Sequence, residues 1–125
     1  MASQPIKIGA ALAFAQQTLG GPLVENDSNP TIGATIGSIA QGNGDRVALI
    51  IVNLGIQDLF VSIDANVSST NGIKVSASGG SVTMEVLEDY TLPSRQWWGI
   101  APGGNTNVFV LELVRFSLAP TGSTR

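Results

Sequence analysis

Short apolar segments separated by turn residues fill the chain from residue 45 onward. In the strongest segment, Arg46 to Leu54, apolar residues occupy both alternating positions, which predicts a central strand covered on both faces. In the other segments large apolar residues mostly alternate with polar or small ones, the pattern of a half-buried strand. The predicted strands are Thr31–Ile39, Arg46–Leu54, Asp58–Asp64, Gly72–Ser76, Ser81–Glu88, Gln96–Ala101 and Asn107–Ser117.

The spacing of these segments predicts the fold class. About seven strands with Gly, Asn and Pro turns between them, and no helical period between strands, are typical of an all-β fold. We therefore expect an antiparallel β-sandwich, and jelly-roll-like and immunoglobulin-like strand orders both stay open. The residues expected to be mostly buried are Val47, Leu49, Ile51, Val61, Ile63, Val82, Met84, Val108, Val110 and Val114.

The first 44 residues differ from the rest, because they carry only three charged side chains among many small and apolar residues. We interpret residues 1–44 as an extended N-terminal arm that is partly stranded, residues 45–118 as the sandwich body, and residues 119–125 as a loose tail. Within the arm, Ala10 to Leu19 is expected to form a short helix, and Leu23 to Pro30 an exposed loop.

The arm is too apolar to be well solvated by water, so we expect it to pack on its own body or on a neighbour. A truncation starting at Gln41 is then expected to leave a folded body. A secretory leader over Ile8–Ala15 is not expected, because one positive charge precedes it and few of its residues are strongly apolar. The apolar anchors of the arm are Ile6, Ile8, Leu12, Phe14 and Leu19.

Composition narrows the classes of function. Charged residues make up 12% of the 125 residues, against about 25% in a typical soluble domain, while hydrophobic residues reach 43%. No Cys and no His are present, which excludes disulfides and thiolate metal sites and removes the commonest catalytic groups. We therefore expect no enzyme activity, no cofactor and no metal. A low-charge, apolar chain of this kind predicts a homo-oligomer or a protein docked on a larger particle.

Charge and hydropathy also bear on partners. The net charge is −3 and the six basic residues are scattered singly along the chain, so neither nucleic acid nor an anionic membrane surface is an expected partner. No apolar run approaches the ~20 residues that a membrane-spanning helix needs.

Acidic residues offer two candidate sites, and we interpret both as turn or surface chemistry. Glu85, Glu88 and Asp89 are the one acidic cluster, but Glu85 and Glu88 have opposite parity on the predicted strand and would project to opposite faces. Asp58 and Asp64 flank another strand without the alternating spacing of a calcium loop. Turn formation explains them better.

The dipeptide Trp97–Trp98 is the most unusual local feature. On a strand its two indoles face opposite sides, so that one can enter the core while the other faces outward. Three interpretations stay open. Both rings pack inside the fold, the outer ring anchors a subunit interface, or the outer ring stacks on a sugar.

Several of these segments resemble small β-sandwich virion proteins of tailed bacteriophages. In such proteins a strand of the form R-x-x-(apolar)-N-x-G precedes a G-I-x-(apolar) segment with a later glycine, a W-x-(small)-(apolar)-A strand and a final apolar strand. The matching segments cover about residues 45–117, and they are Arg46–Gly55, Leu59–Asp64, Gly72–Val75 with Gly79–Gly80, and Trp97–Ala101.

The resemblance implies a capsid cement (decoration) protein that stabilises a phage head, or a neck or tail accessory. It also implies a homo-oligomer, with a trimer favoured, whose partner is the major capsid protein or another virion protein. The expected location is the virion, assembled in the host cytoplasm. The alternative is a tail- or fibre-associated carbohydrate-binding module for host recognition. As interface residues we expect Trp97 and Trp98 in the body and the five apolar anchors of the arm.

Overall fold

The computed structural model describes residues 22–115, and in them nine strands form two antiparallel sheets packed face to face. A short helical turn, α1 (Val86–Asp89), and a 3-10 turn (Leu92–Ser94) follow the seventh strand. The strands are β1 (Leu23–Ser28), β2 (Thr31–Ile32), β3 (Gly37–Ala40), β4 (Arg46–Asn53), β5 (Leu59–Ser62), β6 (Ile73–Val75), β7 (Ser81–Glu85), β8 (Trp97–Ile100) and β9 (Thr106–Arg115).

The strand order identifies the sandwich as a jelly roll. One sheet runs β1-β9-β4-β7, with β2 also paired to β9, and the other runs β3-β8-β5-β6. From β3 onward each connection crosses to the other sheet, except the β5–β6 hairpin. Two packed antiparallel sheets with this strand order and these connections between the sheets form a jelly roll. The predicted all-β sandwich is therefore confirmed, and of its two possible strand orders the structure has the jelly-roll one.

The core lies between the two sheets. Leu49 and Ile51 on β4 and Leu59 and Val61 on β5 have no exposed surface, and Val108 on β9 is equally buried. Burying each such side chain is worth about 1.5–3 kcal/mol, so this layer supplies most of the driving force for folding. Of the residues expected inside, those fully buried are Leu49, Ile51, Val61, Met84, Val108 and Val110, and those half-buried are Val47, Ile63, Val82 and Val114.

Residues 23–28, expected to be a loop, are strand β1. They pair with β9 in unbroken antiparallel register from Leu23↔Arg115 to Ser28↔Val110. Five of the six side chains are exposed, so no buried face marks the segment in the sequence. It is a strand because a partner at the far end of the chain provides backbone hydrogen bonds.

Strand β1 also moves the boundary of the sandwich. The strands β1, β2 and β3 pair with β9 and β8, so residues 23–40 belong to the two sheets rather than to an arm. A truncation starting at Gln41 removes all three strands, and we no longer expect the remainder to fold. The expected helix over 10–19 and the tail over 119–125 lie outside the described residues.

Two other predicted strands differ in extent from the observed ones. The segment Thr31–Ile39 is divided into β2 and β3 by a bend, and Ser81–Glu88 ends at Glu85. There the Glu85 side chain accepts a hydrogen bond from the Leu87 N–H (3.1 Å), and Asp89 Oδ2 accepts one from the Glu85 N–H (3.0 Å). Because the two acidic side chains accept backbone N–H groups at the start of a helical turn, α1 begins where the strand was expected to continue.

Within residues 22–115, none of the helical segments has the length and apolar character that crossing a bilayer requires.

Candidate assembly surfaces

A buried arginine holds the first end of β4. Arg46 is 3% exposed, and its Nε donates to Glu112 Oε1 at 2.6 Å. The two terminal nitrogens donate to the carbonyls of Pro93, Arg95 and Gln41. One guanidinium therefore ties three separate chain segments to the central strand, because its donors form a rigid planar fork.

A buried asparagine holds the other end. The Nδ2 of Asn53 donates to the carbonyls of Gln57 (2.7 Å) and Val75 (3.0 Å), and its Oδ1 accepts from the Gly55 N–H and the Thr106 hydroxyl. All hydrogen-bonding positions of the amide are used in a site with no exposed surface.

Gly55, next to this asparagine, has no room for a side chain, since a Cβ there would stand 2.7 Å from the backbone nitrogen of Asn107. The R…N-x-G pattern that resembles the phage proteins thus consists of residues that stabilise the fold.

The five-stranded sheet turns an apolar surface away from the core. Alternation along β4 and β9 sends one row of side chains inward and the other outward. Paired positions such as Ile50↔Leu111 and Val52↔Phe109 place the outward rows side by side. These residues are only partly buried, so the expectation that β4 is covered on both faces does not hold in residues 22–115. This outer apolar face consists of Ala48, Ile50, Val52, Phe109, Leu111 and Leu113.

A cleft opens where the two sheets end side by side. Strand β1 ends one sheet and β3 ends the other, and a cavity of about 330 Å³ lies between them. Its apolar part is formed by Ile39, Ala40 and Val110, and its polar part includes the Arg46–Glu112 ion pair. The edge cleft is lined by Ser28, Ser38, Ile39, Ala40, Gln41, Gly42, Asn43, Arg46, Val110 and Glu112.

Two smaller apolar groups lie at opposite ends of the sandwich. Leu54 and Ile56 follow β4 at its Asn53 end, and Ile56 is 80% exposed. Leu87 in α1 and Tyr90 directly after it lie at the Arg46 end, and Tyr90 is 78% exposed. Single exposed apolar residues are common on soluble proteins, so these four rank below the outer apolar face.

The structure separates the two tryptophans. Trp97 lies in the core at 3% exposure, and its indole N–H donates to the Leu92 carbonyl at 2.9 Å. Trp98 is half-buried on the opposite side of β8, between Ser38 and Ser62 of the neighbouring strands. Of the two body residues expected at an interface, Trp97 is buried and Trp98 is partly exposed. The five apolar anchors of the arm lie outside the described residues.

The acidic residues have structural roles in this part of the chain. Asp58 Oδ1 accepts from the Ala77 N–H, and Asp58 also forms an exposed ion pair with Lys74. Within residues 22–115, no group of three potential metal ligands comes together.

Asp64 stabilises the turn that follows β5. The Asn66 backbone N–H and then the Asn71 side chain donate to this carboxylate and hold the pKa of Asp64 below its ordinary value. The interpretation of these acidic residues as turn formers thus agrees with their hydrogen bonds.

Two surface features were not predicted from the sequence, the outer apolar face and the edge cleft. The outer apolar face has a signal in the sequence, since both parities of β4 are apolar, but that pattern does not say whether another element covers the second face. The edge cleft has no signal in the sequence, because its formation depends on which strands lie at the edges of the two sheets.

Comparisons with known proteins give a likeness of fold. No protein-family model matches the chain, and no curated protein matches it. Among solved structures, it is similar to a protein from Bacillus endospore appendages, described as a novel family of disulfide-linked pili. The two share 15% sequence identity with a TM-score of 0.46, and the match covers 76% of this chain and 89% of that chain. The present sequence has no cysteine.

Proposed function

We propose that this chain is a structural subunit of a protein assembly, and specifically a capsid cement (decoration) protein that stabilises a phage head through protein–protein contacts. Its proposed partners are copies of itself, with a trimer favoured, and the major capsid protein or another virion protein. The trimer and the virion location rest on the sequence resemblance alone.

The outer apolar face is the observation that carries this proposal. An antiparallel sandwich that stands alone in water usually lines its outer faces with polar residues. Here six apolar side chains lie together on the two central strands of one sheet. Burying a large one of these residues against a partner is worth about 1.5–3 kcal/mol, so several together can sustain an interface.

The flanks of this face favour a protein partner over a lipid one. On β1, Glu25 lies beside Leu113 and Asp27 beside Leu111, and on the other side Thr83 lies beside Ile50. An apolar centre with a polar rim is the usual plan of a protein–protein interface. Acidic residues at the rim oppose adsorption to an anionic membrane.

The first experiment introduces a charge into the outer apolar face. Leu111→Lys, at its centre, is expected to weaken self-association or particle binding at least tenfold, because about 1.5–3 kcal/mol of apolar burial is lost. The measurements are sedimentation of the purified protein at micromolar concentration and co-sedimentation with phage heads that lack it.

Thr70→Lys is the control, since it adds the same charge at an exposed loop position between β5 and β6 of the other sheet. It is expected to leave association unchanged, and both variants should melt near the wild-type temperature. A Leu111→Lys variant that associates and binds heads like the wild type excludes the outer apolar face as the contact.

Abundance separates cement from the alternative, a tail-associated carbohydrate-binding module. Cement is present in hundreds of copies per purified particle, and a tail module in few. The observation that favours the module is the position of Trp98, which is partly exposed and pairs with the small polar residues Ser38 and Ser62 of the neighbouring strands. A sugar stacked on this ring would change tryptophan fluorescence on glycan titration, and Trp98→Ala would abolish the change.

A further inference from the structure

Strand β1 is a sheet edge without a bulge that carries two charged residues, Glu25 and Asp27. All six of its residues keep regular register with β9, and among residues 22–115 it pairs with no other strand. Edge strands of soluble proteins are usually protected by bulges, charges or a covering element, because unpaired backbone groups act as a template for another strand. Strand β3, across the edge cleft, has such protection, since its register with β8 shifts between Ser38 and Ala40.

The edge cleft gives an added strand an apolar side to face. A strand placed alongside β1 would extend the five-stranded sheet over the opening toward β3. Its inward side chains would then lie above Ile39, Ala40 and Val110, which are all at least nine-tenths buried at the bottom of the cleft. The occupant should therefore alternate between large apolar residues on one face and small ones on the other.

Residues 6–14 of this chain have that pattern. The even-numbered positions carry Ile6, Ile8, Ala10, Leu12 and Phe14, while the odd positions between them carry only Lys, Gly and Ala. An extended backbone, the alternative to the short helix that composition favours over Ala10 to Leu19, places the even-numbered residues on one face. We refer to residues 6–14 as the alternating segment.

Charge supports the same match. Lys7 is the one charged side chain in residues 1–21. On β1 the charged residues are Glu25 and Asp27, both exposed, and Glu112 lies at the cleft with 22% of its side chain exposed. A weakly cationic segment and an acidic edge attract each other at moderate salt.

Chain connectivity favours a segment from another copy over the molecule's own. The described chain begins at Pro22, immediately before β1. A tight hairpin at Gly20–Gly21 would pair residues 13–18 with β1 and would carry most of the alternating segment past the end of the strand. A parallel arrangement needs a crossover of about a dozen residues or more, and only residues 15–21 are available for it.

We propose that the edge cleft receives the alternating segment of a second copy of this chain, added as a strand alongside β1. This inference rests on the proposed function in that it names the partner of one surface, a neighbouring copy within the same assembly. It uses a different surface from the outer apolar face, so each of the two can fail without the other.

Disulfide trapping tests the proposal in the full chain, which has no native cysteine. Ser28→Cys on β1 is co-expressed with Ile8→Cys, Ala10→Cys or Leu12→Cys, one substitution per copy, and the mixture is oxidised. At least one pair is expected to give a disulfide-linked dimer. Mass spectrometry of the digested dimer should identify a peptide from the Ser28→Cys copy linked to a peptide that contains the alternating segment of the other copy.

Two controls keep the test specific. Ala11→Cys, on the opposite face of the alternating segment, should cross-link severalfold less than its even-numbered neighbours. Thr70→Cys, an exposed position in the loop after β5, replaces Ser28→Cys as the background for random collisions.

Three outcomes overturn the proposal: cross-linking no stronger than at Thr70→Cys, equal cross-linking of both faces of the segment, or a double variant (Leu12→Cys with Ser28→Cys) that forms only an internal disulfide. The sedimentation of Leu111→Lys reports on the proposed function separately, because that substitution lies outside the edge cleft.

Discussion

The two ends of β4 do the same structural work with different chemistry. At one end Arg46 binds three carbonyls and Glu112 through a charged fork, and at the other Asn53 binds two carbonyls, a backbone N–H and a hydroxyl through a neutral amide. Both side chains replace backbone pairing where loops meet the central strand. No buried side-chain polar atom in residues 22–115 lacks a hydrogen-bond partner.

The difference is in their surroundings. Asn53 has no exposed surface, whereas the Glu112 partner of Arg46 borders the edge cleft. The contacts of the neutral Asn53 amide are therefore insensitive to salt, while the Arg46 end depends on a charge pair that solvent reaches from one side. The end of β4 that borders the edge cleft is therefore the one whose ion pair can be weakened by salt.

The largest expected effect is that of Asn53→Asp. This change replaces two donated hydrogen bonds with a buried carboxylate facing the carbonyls of Gln57 and Val75, and it should cost about 4–5 kcal/mol of unfolding free energy. Urea unfolding followed by circular dichroism measures it. Thr106→Val, which removes one hydrogen bond to the same amide, should cost about 1 kcal/mol. A loss below about 1 kcal/mol for Asn53→Asp would contradict the role given to this residue.

Arg46→Lys should have the next largest effect. The lysine keeps the charge and reaches Glu112, but its single nitrogen cannot also bind the carbonyls of Pro93, Arg95 and Gln41. We expect a loss of about 2–3 kcal/mol in the unfolding free energy from the same urea experiment. Arg95→Lys, at an exposed position with the same chemical change, is the control and should be near neutral. Equal stability of the two variants would show that charge alone holds this end.

A smaller effect is expected from Glu112→Gln. The amide oxygen still accepts from Arg46, but the charge attraction is lost, and because Glu112 is partly solvated the cost should be about 1 kcal/mol. The stability difference between wild type and variant should shrink in high salt, since salt screens the wild-type pair. No salt dependence at the Arg46 end would remove the proposed contrast with Asn53.

The smallest effect is expected at Asp64, an exposed carboxylate whose hydrogen bonds stabilise a surface turn, in contrast to the buried contacts of Arg46 and Asn53. Its lowered pKa means that the turn is stabilised above the ordinary pKa and loses this contribution as pH falls through the lowered value. An NMR titration should place the midpoint of Asp64 below that of an unstructured Asp, and Asn71→Ala should move it upward. A midpoint unchanged by Asn71→Ala would leave Asn66 as the sole cause.

The sequence predicted what depends on local alternation. Strands such as β4, β5 and β9 and most core positions follow from the period of two, because a buried face leaves its mark on the residues themselves. Strand β1 leaves no such mark, since its side chains are exposed and its stability comes from pairing with β9. In the sequence, Arg46 looks like an ordinary surface cation. Its burial is explained by the carbonyls that distant chain segments place around it, and the sequence does not show these contacts.

The candidate surfaces divide in the same way. The sequence indicates part of the outer apolar face, because both alternating rows of β4 are apolar. The same pattern predicts that another element covers the second row, and residues 22–115 do not provide that cover. The edge cleft required knowledge of which strands end each sheet, and that is a property of topology. Trp97 and Trp98 were correctly placed on opposite faces, yet their dipeptide could not say which ring enters the core.

The pairing of β1 with β9 has a consequence for how the protein is made. Strand β9 lies between β1 and β4, so these two strands cannot join in one sheet until residues 106–115 have left the ribosome. At about 5–20 residues per second, β4 waits several seconds for β9, and until β7 has been synthesised it has neither of its two native neighbours. The growing chain therefore passes through a period in which this apolar strand is unpaired, and a chaperone that binds apolar segments is most useful then.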